Sequence, residues 1–326
     1  MKAICRAASV ILVAAAFAGS SSASRAQTTD YPSKPVRILV GASPGGTTDT
    51  MARAVAHELS AALGQPVIVE NKPGAGGNLA ADTVAKASSD GHTLLVSFTS
   101  HTINATLYPN LPFDPIADFT PITMIATVPS MLVGNVRLPD QTLEQLIASA
   151  KSKPDKLTIA IGGIGSSLHL AGEQLKMMSG IKLLNVPYKG STPAMTDVLA
   201  GHVDLMFISM VTGAAQVKAG KLKAFGVTSA KRLQAFPDLP AIGEVVPGFE
   251  SVAWFGVFAP ANLPAPIAAK LNTAIAESLK GAKLRQQLEL EGASAVGNSQ
   301  AEFAAFVRDD VKRWAPIVKQ SGATPD

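Results

Sequence analysis

The sequence predicts an α/β protein of two lobes, in which mostly parallel sheets are flanked by helices. Strand-like apolar runs alternate with helix-like stretches along most of the chain, which is the pattern of a parallel sheet covered by helices. The length of 326 residues favours about two domains. Hydrophobic residues make up 47% of the chain and charged residues only 16%, which excludes disorder and indicates a large buried core.

The N-terminus has the three parts of a secretory signal peptide. Lys2 and Arg6 form a basic segment, residues 7–18 form an apolar one, and residues 24–26 carry the small side chains that signal peptidase reads. We expect residues 1–26 to be removed after Ala26, with cleavage after Ala23 as the alternative, and the chain to be exported to the periplasm. An N-terminal core helix is the other interpretation of this segment. The apolar run is too short to span a membrane, which takes about 20 residues.

Loss of the signal peptide changes what the charge and the cysteine imply. The segment carries three basic residues and no acidic one, so the formal net charge falls from +4 to +1. The basic composition then gives no support to a nucleic-acid or anionic-membrane partner. Cys5 is removed as well, so the mature chain is expected to have no disulfide and no thiol nucleophile or metal ligand.

Residues 36–98 predict the order β-α-β-α-β, a complete small α/β unit. The spacing of Ala52, Val55 and Leu59 indicates one buried face of a helix that follows a glycine-rich turn. The predicted strands are 36–40, 67–70 and 93–98, and the predicted helices follow the turns 41–46 and 73–77.

A second series of elements begins near Met124, and the chain then returns to the first lobe. The predicted elements are strands over 157–161, 182–186, 205–208, 222–228 and 254–259, helices over 167–178 and 267–279, and capping boxes at 142–145 and 299–302. The proline-marked segment 236–240 is interpreted as the return crossing. The expected lobes are therefore residues 27–125 with 236–326, and residues 126–235, with a ligand cleft between them.

The sequence motifs of common enzyme classes are either incomplete or missing from this chain. The segment 41–45 matches the nucleophile elbow of hydrolases, but Pro44 lacks the N–H that an oxyanion would need. The histidines are scattered without metal-ligand spacing, and the Walker A and dinucleotide-binding patterns are missing from the sequence. We therefore predict no catalytic residue, no metal and no cofactor.

Two glycine-rich segments remain as candidate binding sites, and each lies between a predicted strand and the helix that follows it. Residues 44–49 and 162–167 let the backbone approach a ligand closely and direct first-turn N–H groups outward, an arrangement that binds anions. The alternative is local, with Thr47 or Thr48 capping the helix and Asp49 complementing its dipole. Two such helix starts facing one cleft indicate a ligand with carboxylates.

Six ordered motifs resemble the Bug-type solute-binding proteins of tripartite tricarboxylate transporters. They are YPSKPVR at 31–37, PGGTTD at 44–49, VENKPGAGGN at 69–78, DGHTLL at 90–95, VPYKG at 186–190 and LAGHVDLMF at 199–207. The resemblance implies a periplasmic Venus-flytrap receptor of the type II kind, which catches a carboxylate-bearing solute and delivers it to membrane permease subunits. A monomer is expected.

The resemblance also implies which residues contact the ligand. The family pattern places it against turns of both lobes, at Gly45, Gly46, Thr47, Thr48, Asp49, Phe98, Ser100, His101, Asn104, Gly165, Ser166, Ser167, His169, Tyr188, Gly190, Ser191, Thr192 and Ser209. For His101 and His169, a structural role is the alternative.

A departure from the family pattern narrows the ligand class. Many relatives have Asp-Asn where this chain has Ile208-Ser209, and an acid there could hold an ammonium group. Its absence favours a dicarboxylate without an amino group. Phe98, Ile208 and Met210 near the predicted cleft favour an apolar middle of the ligand, with an aromatic ring as one option. The alternatives are a secreted α/β enzyme that would pair Asp49 with a histidine, and a ligand-binding partner of a signalling protein.

Overall fold

The computed structural model describes residues 31–290 and 292–325, so the predicted signal peptide lies outside the described part of the chain. The described residues form two sheets, one in each lobe, and helices cover both. Among these residues, no helix combines the length and the apolar character needed to cross a bilayer.

The first lobe is built on a sheet with parallel and antiparallel parts. Its elements are β1 (Val36–Val40), α1 (Thr47–Leu63), β2 (Val67–Asn71), α2 (Asn78–Ala85), β3 (Thr93–Phe98), α3 (Ser100–Leu107), β4 (Phe119–Val128), β10 (Ala253–Pro260), α9 (Ala265–Ser278), α10 (Ala282–Leu290), β11 (Ser294–Ala295) and α11 (Gln300–Ser321). The strand order is β11-β4-β10-β3-β1-β2. β1 runs parallel to β2 and β3, because α1 and α2 provide the crossovers, whereas β10 is antiparallel to β3 and β4.

The second lobe repeats this plan on a smaller scale. Its elements are β5 (Ser130–Asn135), α4 (Leu143–Ser152), β6 (Thr158–Ile161), α5 (Ser167–Ser179), β7 (Leu184–Pro187), α6 (Ser191–Ala200), β8 (Leu205–Ser209), α7 (Met210–Lys218), β9 (Leu222–Val227) and α8 (Ile242–Val245). The strand order is β7-β6-β8-β5-β9, in which β6 is parallel to β7 and β8 while β5 is antiparallel to β8 and β9. Both sheets are therefore mixed, and only their βαβ portions match the mostly parallel sheets that were predicted.

The two crossings between the lobes lie side by side. The chain leaves the first lobe between β4 and β5, at Pro129, and the N–H of Ser130 donates to Thr228 Oγ1 at 2.8 Å. The N–H of Thr228 donates back to Ser130 O, and the N–H of Ser251 donates to Thr228 O, both at 2.9 Å. These bonds join the outgoing and returning strands where the lobes meet.

The return crossing comes later in the chain than 236–240. Ile242, Val246 and Phe249 are buried in the core of the second lobe, and Phe236 packs against a second cluster of the same lobe. The prolines mark a turn inside that lobe, where the N–H of Val227 donates to Pro240 O at 2.9 Å. The second lobe therefore extends to about residue 250, and the predicted boundary at 235 is corrected.

The C-terminal helix α11 ties the lobes together. Its Trp314, Ile317 and Val318 form one apolar cluster with Leu107 of α3 and Leu170 of α5. The buried Asp310 of the same helix accepts hydrogen bonds from two distant parts of the first lobe, Thr102 Oγ1 at 2.6 Å and Trp254 Nε1 at 2.9 Å. It also accepts from two residues of its own helix, Trp314 Nε1 at 3.2 Å and Arg313 Nη2 at 2.6 Å. The prediction of a C-terminal helix opened at Ser299 is confirmed, including its reciprocal capping box with Glu302.

The other predicted capping box differs in one partner. Thr142 caps α4 by accepting the Gln145 N–H at 3.3 Å, as predicted. The Gln145 side chain, however, accepts from the N–H of Gln141 at 2.7 Å rather than from Thr142. The helices α3, α6, α7, α8 and α10 and the strands β4, β5 and β11 were not among the predicted elements.

Candidate functional site

The turns that follow the parallel strands meet at one end of each sheet. In the first lobe, a Cβ on Gly41 would lie 2.5 Å from Gly77 Cα, so the turns after β1 and β2 touch. In the second lobe, a Cβ on Gly162 would lie 2.8 Å from Ser191 Cα, so the start of α6 abuts the turn after β6. Because ligands of open α/β sheets bind at the carboxyl ends of strands, these turns form the candidate site.

Turns of the second lobe also lie against the first lobe. A Cβ on Gly165, in the turn after β6, would lie 2.6 Å from Leu107 Cδ2 at the end of α3. A Cβ on Gly292, ahead of β11, would lie 3.0 Å from Val211 Cγ2 near the start of α7. Both contacts join one residue of each lobe, so the turns after β6 and β8 border the space between the lobes.

The first helix start is the turn from Gly45 into α1. Gly45 has a φ of 78°, a left-handed conformation that glycine adopts without a steric penalty. Gly46 is the N-cap and has no side chain with which to cap the first turn. Neither Thr47 nor Thr48 therefore caps α1, and Thr48 is buried.

Asp49 closes this turn from within the lobe. Its Oδ2 accepts from the Gly45 N–H at 2.9 Å and from Arg53 Nε at 3.0 Å, and its Oδ1 accepts from Asn71 Nδ2 at 2.8 Å. Burial favours the neutral acid, but these three donors outweigh it and hold the pKa of the Asp49 carboxyl below its usual 3.8. Because only 4% of the side chain is exposed, the carboxylate shapes the turn rather than facing the cleft.

The second helix start has the same construction at α5. Gly165 has a φ of 73° and its N–H donates to His169 Nδ1 at 3.0 Å. Ser166 is the N-cap, and its Oγ accepts the His169 N–H at 3.2 Å. In both starts, the glycine before the N-cap donates to the side chain of the third helical residue, which is Asp49 in α1 and His169 in α5.

A buried polar network lies behind His169, and sequence analysis did not anticipate it. His169 Nε2 lies 3.3 Å from Glu173 Oε1, and the same oxygen accepts from Lys176 Nζ and Asn185 Nδ2, both at 2.7 Å. Burial alone would raise the pKa of Glu173, but its three polar neighbours outweigh burial and lower it to about 2. The spacing of His169, Glu173 and Lys176 along one helix face is the sequence signal that could have indicated this network.

His101 lies in the aromatic core of the first lobe. Its ring stacks on Phe258, with centroids 4.7 Å apart, and meets Phe119 edge-on at 4.9 Å. Its Nε2–H donates to Pro115 O at 2.9 Å. Burial lowers the pKa of His101 to about 4, although this hydrogen bond favours the charged form. The geometry gives the ring a structural role, which is the alternative that the sequence left open.

Asn104 and Tyr188 also make internal contacts. Asn104 Nδ2 donates to Gly76 O at 3.2 Å and to Asn78 Oδ1 at 2.8 Å, which holds the turn after β2. The Tyr188 hydroxyl donates to Asp197 Oδ2 at 2.6 Å, and this bond raises the pKa of Tyr188 to about 12.

The predicted site residues differ in how far they are exposed to solvent. The exposed ones are Gly45, Gly46, Ser191 and Thr192; the partly exposed ones are Thr47, Phe98, Ser100, Ser166, Ser167, Tyr188, Gly190 and Ser209; the buried ones are Thr48, Asp49, His101, Asn104, Gly165 and His169. The exposed and partly exposed residues include the starts of α1, α3, α5, α6 and α7. The buried residues support these turns from beneath.

A pocket of about 400 Å³ lies elsewhere on the second lobe, between the first turn of α4 and residues 232–245. Its guanidinium group is already paired, because Arg232 Nη2 lies 2.7 Å from Glu244 Oε2 and Arg232 Nε 2.9 Å from Glu244 Oε1. The strand-end turns described above are therefore better suited to bind an anion than this pocket.

Comparison with known proteins decides the family. Residues 51–323 match the family model described as the tripartite tricarboxylate transporter family receptor. The chain belongs to this receptor family. The resemblance noted from the six sequence motifs is thereby confirmed.

Individual relatives of the receptor agree over nearly its whole length. The receptor is 36% identical to protein BugT of Bordetella pertussis over 296 residues, which are 90% of this chain and 91% of the relative. It is similar to an R. palustris protein solved with adipate, at 35% identity and a TM-score of 0.75, covering 91% of this chain and all of the other. It is also similar to MatC of Rhodopseudomonas palustris with bound malate, at 34% identity and a TM-score of 0.72, covering 88% and 100%. These matches confirm the predicted two-lobed fold of a solute-binding protein.

Proposed function

We propose that the receptor binds a small dicarboxylate without an amino group in the periplasm and delivers it to the membrane permease subunits of a tripartite transporter. The carboxylate class is supported by two similar proteins, one of which was solved with adipate and the other with malate. The periplasmic location is supported by the signal-peptide pattern of residues 1–26.

The observation that carries this proposal is the pair of glycine-rich helix starts, one in each lobe. The first-turn N–H groups of a helix have no partner within the helix, and the positive end of its dipole attracts anions. At α1 and α5 the preceding glycine N–H is turned inward to Asp49 or His169, while the first helical residues, Thr47 and Ser167, lie partly exposed at the strand-end turns. One carboxylate at each start would bridge the lobes.

The polar surroundings argue against an ammonium group in the ligand. The carboxylates of Asp49 and Glu173 are buried and held by donors of their own lobe. At the turn after β8 the side chain is Ser209, whose hydroxyl donates to Thr212 Oγ1 at 3.0 Å. No acidic residue occupies that turn, at residues 208–210, to pair with an amine.

Fewer apolar side chains are available to contact the middle of the ligand than the sequence analysis expected. Ile208 and Met210 are buried and belong to the core of the second lobe. Phe98 is partly exposed and would contact a Cβ on Gly77 at 3.4 Å, so it remains the apolar side chain beside the turn after β2. An aliphatic middle therefore fits at least as well as an aromatic one.

Binding of this kind works by closure of the two lobes. A ligand that contacts both helix starts stabilises the closed arrangement by its differential affinity for that state. The paired crossings at Ser130, Thr228 and Ser251 are the positions where the backbone would bend. An enzyme would need Asp49 close to His101 or His169, but these side chains occupy three separate hydrogen-bond networks.

The first test is a thermal-shift panel on the purified mature chain. The panel contains citrate, aliphatic dicarboxylates of four to six carbons, phthalate isomers, nicotinate, aspartate and glutamate. A ligand at 100 times its Kd adds about 2.7 kcal/mol of stability and raises the Tm visibly. A shift with dicarboxylates but not with aspartate or glutamate supports the proposal, whereas a shift with the amino acids alone overturns it.

A matched pair of variants then locates the site. Gly46→Val places bulk beside the first helix start, and its φ of −79° accepts a side chain without strain. Ala61→Val adds bulk to an exposed position of the same helix. Gly46→Val should abolish the thermal shift while the Tm without ligand stays near that of the control. Unchanged binding in Gly46→Val would remove the first helix start from the site.

A further inference from the structure

The C-terminal helix α11 has two halves with different surroundings. The first half belongs to the first lobe, where Phe303 is buried in the aromatic core. In the same half, Asp310 accepts hydrogen bonds from Thr102 Oγ1 at 2.6 Å and from Trp254 Nε1 at 2.9 Å. The second half, residues 314–321, extends beyond these contacts towards the second lobe. We call this second half the strap.

The two halves meet beside the return crossing. Arg313 Nη1 donates to Glu250 O at 2.7 Å, at the point where the returning chain leaves the second lobe, and Gln174 Nε2 of α5 donates to the same oxygen at 3.2 Å. Just beyond, Pro316 lies inside the helix and has no N–H to donate to Lys312 O. The helix α11 can therefore bend between its halves without losing a hydrogen bond at this position.

The strap packs into an apolar cluster that the two lobes share. Among the described residues this cluster has six buried members, none more than 8% exposed: Ile103, Leu107, Leu170, Trp314, Ile317 and Val318. Five of the six belong to α3 and α11, and the sixth, Leu170, lies in the first turn of α5. Leu170 is therefore the side chain by which the second lobe is held in this cluster.

The cluster lies beside the space between the lobes, so opening of the lobes would break it. Gly165, in the turn that leads into α5, borders this space, and a Cβ on it would lie 2.6 Å from Leu107 Cδ2. A rotation about the paired crossings that widens the space draws Gly165 and Leu170 away from α3 and the strap. The apolar surfaces of Leu107, Leu170 and Trp314 would then be exposed to water, which is unfavourable.

We propose that the strap limits how far the two lobes open, and that Leu170 is the positioning residue through which it holds the second lobe. The strap acts on the equilibrium between open and closed arrangements rather than through contact with a ligand. A receptor that opens less spends a larger fraction of its time in the arrangement that binds, so its apparent affinity is higher. This consequence for binding rests on the proposed function, whereas the limit on opening does not.

The first experiment is small-angle X-ray scattering of the mature chain without ligand, for the parent, Leu170→Ala and Leu175→Ala. Leu175 is the matched control, because it lies in the same helix, is equally buried and packs in the second lobe's own core. Leu170→Ala should increase the radius of gyration, since the strap loses its hold, while Leu175→Ala should keep the parent value. An unchanged radius in Leu170→Ala, or equal increases in both variants, would overturn the proposal.

A second variant tests the same contact from the side of α11 and still decides the proposal if Leu170→Ala does not fold. Ile317→Ala shortens a side chain of the strap and leaves α5 unchanged. It should also increase the radius of gyration. The double variant should open little further than either single one, because both substitutions weaken one shared contact. No increase in Ile317→Ala, or fully additive increases in the double variant, would contradict the strap.

Binding is measured in parallel by calorimetry, with malate and adipate as probes. The Kd of Leu170→Ala should rise about tenfold over that of the parent, because a smaller fraction of the protein is in the binding arrangement, while Leu175→Ala should bind as the parent does. Tighter binding by Leu170→Ala would show that the cluster holds the lobes apart and would overturn the proposal. If neither probe binds to any of the three proteins, the proposed function fails for these ligands, and the scattering measurement still decides whether the strap limits opening.

Discussion

The starts of α1 and α5 have the same backbone arrangement, in which a glycine N–H donates to the side chain of the third helical residue. They differ in the side chain that accepts this hydrogen bond. At α1 the acceptor is an ionised carboxylate, Asp49, whose partners all belong to the first lobe. At α5 the acceptor is an imidazole, His169, backed by the buried Glu173, and its glycine lies beneath Leu107 of the other lobe. The first start is thus supported by its own lobe alone, while the second depends on the interface between the lobes and on a buried histidine.

The largest contrast should come from alanine at the two glycines. In Gly45→Ala the new Cβ meets nothing within 4 Å, so only the left-handed φ costs stability, about 1–2 kcal/mol. In Gly165→Ala the Cβ also collides with Leu107, which should bring the loss to about 2–4 kcal/mol. Denaturant unfolding of both variants measures the difference.

Gly180→Ala is the control for this pair. Gly180 ends the same helix α5, has a φ of 71° and has open space around it, so its loss should equal that of Gly45→Ala. Combining Gly165→Ala with Leu107→Ala should show favourable coupling, because the collision is removed. Equal losses at Gly45 and Gly165 would mean that the Leu107 side chain shifts away from the new Cβ without cost and does not hold the two lobes together there.

The next largest loss of stability is expected for a substitution at Glu173. Its pKa is lowered from 4.5 to about 2, so its ionised form contributes about 3 kcal/mol of stability at neutral pH. Because the pKa is lower in the folded state, this stability is complete above about pH 4.5 and is lost as the pH falls towards about 2. Glu173→Gln should remove it, and the difference in unfolding free energy from the parent should shrink below pH 4.5. A difference that is constant with pH would contradict this account.

A substitution at Asp49 should also lower the stability, but by less than the substitution at Glu173. Asp49→Asn keeps one acceptor oxygen but loses the charge opposite Arg53, and we expect a loss of about 2 kcal/mol at neutral pH. The pKa of Asp49 is lowered in the folded state, so this contribution is present above about pH 4 and disappears as the pH falls below it. Unfolding curves at neutral and acidic pH measure it, and a larger loss in acid than at neutrality would contradict it.

The smallest effect is expected for Arg53. About half of its side chain is exposed, 52%, so solvent screens its ion pair with Asp49. Arg53→Ala should therefore cost at most about 1 kcal/mol, and the corresponding variant in the second lobe, Lys176→Ala, should cost more because its ion pair is buried. Equal losses would show that the two helix starts are supported alike.

Many elements could be predicted because their signals are local. The strands β1 and β3 have the bounds that apolar runs predict, and the glycine-rich turns before α1 and α5 lie where the sequence places them. The capping box at Ser299 is equally local, since its two partners are three residues apart. Helices such as α3 and α7 were missed because they follow strands directly, without a turn signal to separate them.

The sequence by itself determined the fold class, the two glycine-rich helix starts and the receptor family, because hydrophobic periodicity, turn residues and ordered motifs all lie along the chain. Only the tertiary structure decided which side chains of those motifs face outward. Asp49, His101 and His169 carry polar groups that suit a ligand, yet each is buried by residues far away in the sequence or on another turn. The return crossing was likewise decided by packing, since Ile242 and Phe249 are buried in the second lobe. Burial depends on long-range contacts, and no local pattern specifies those.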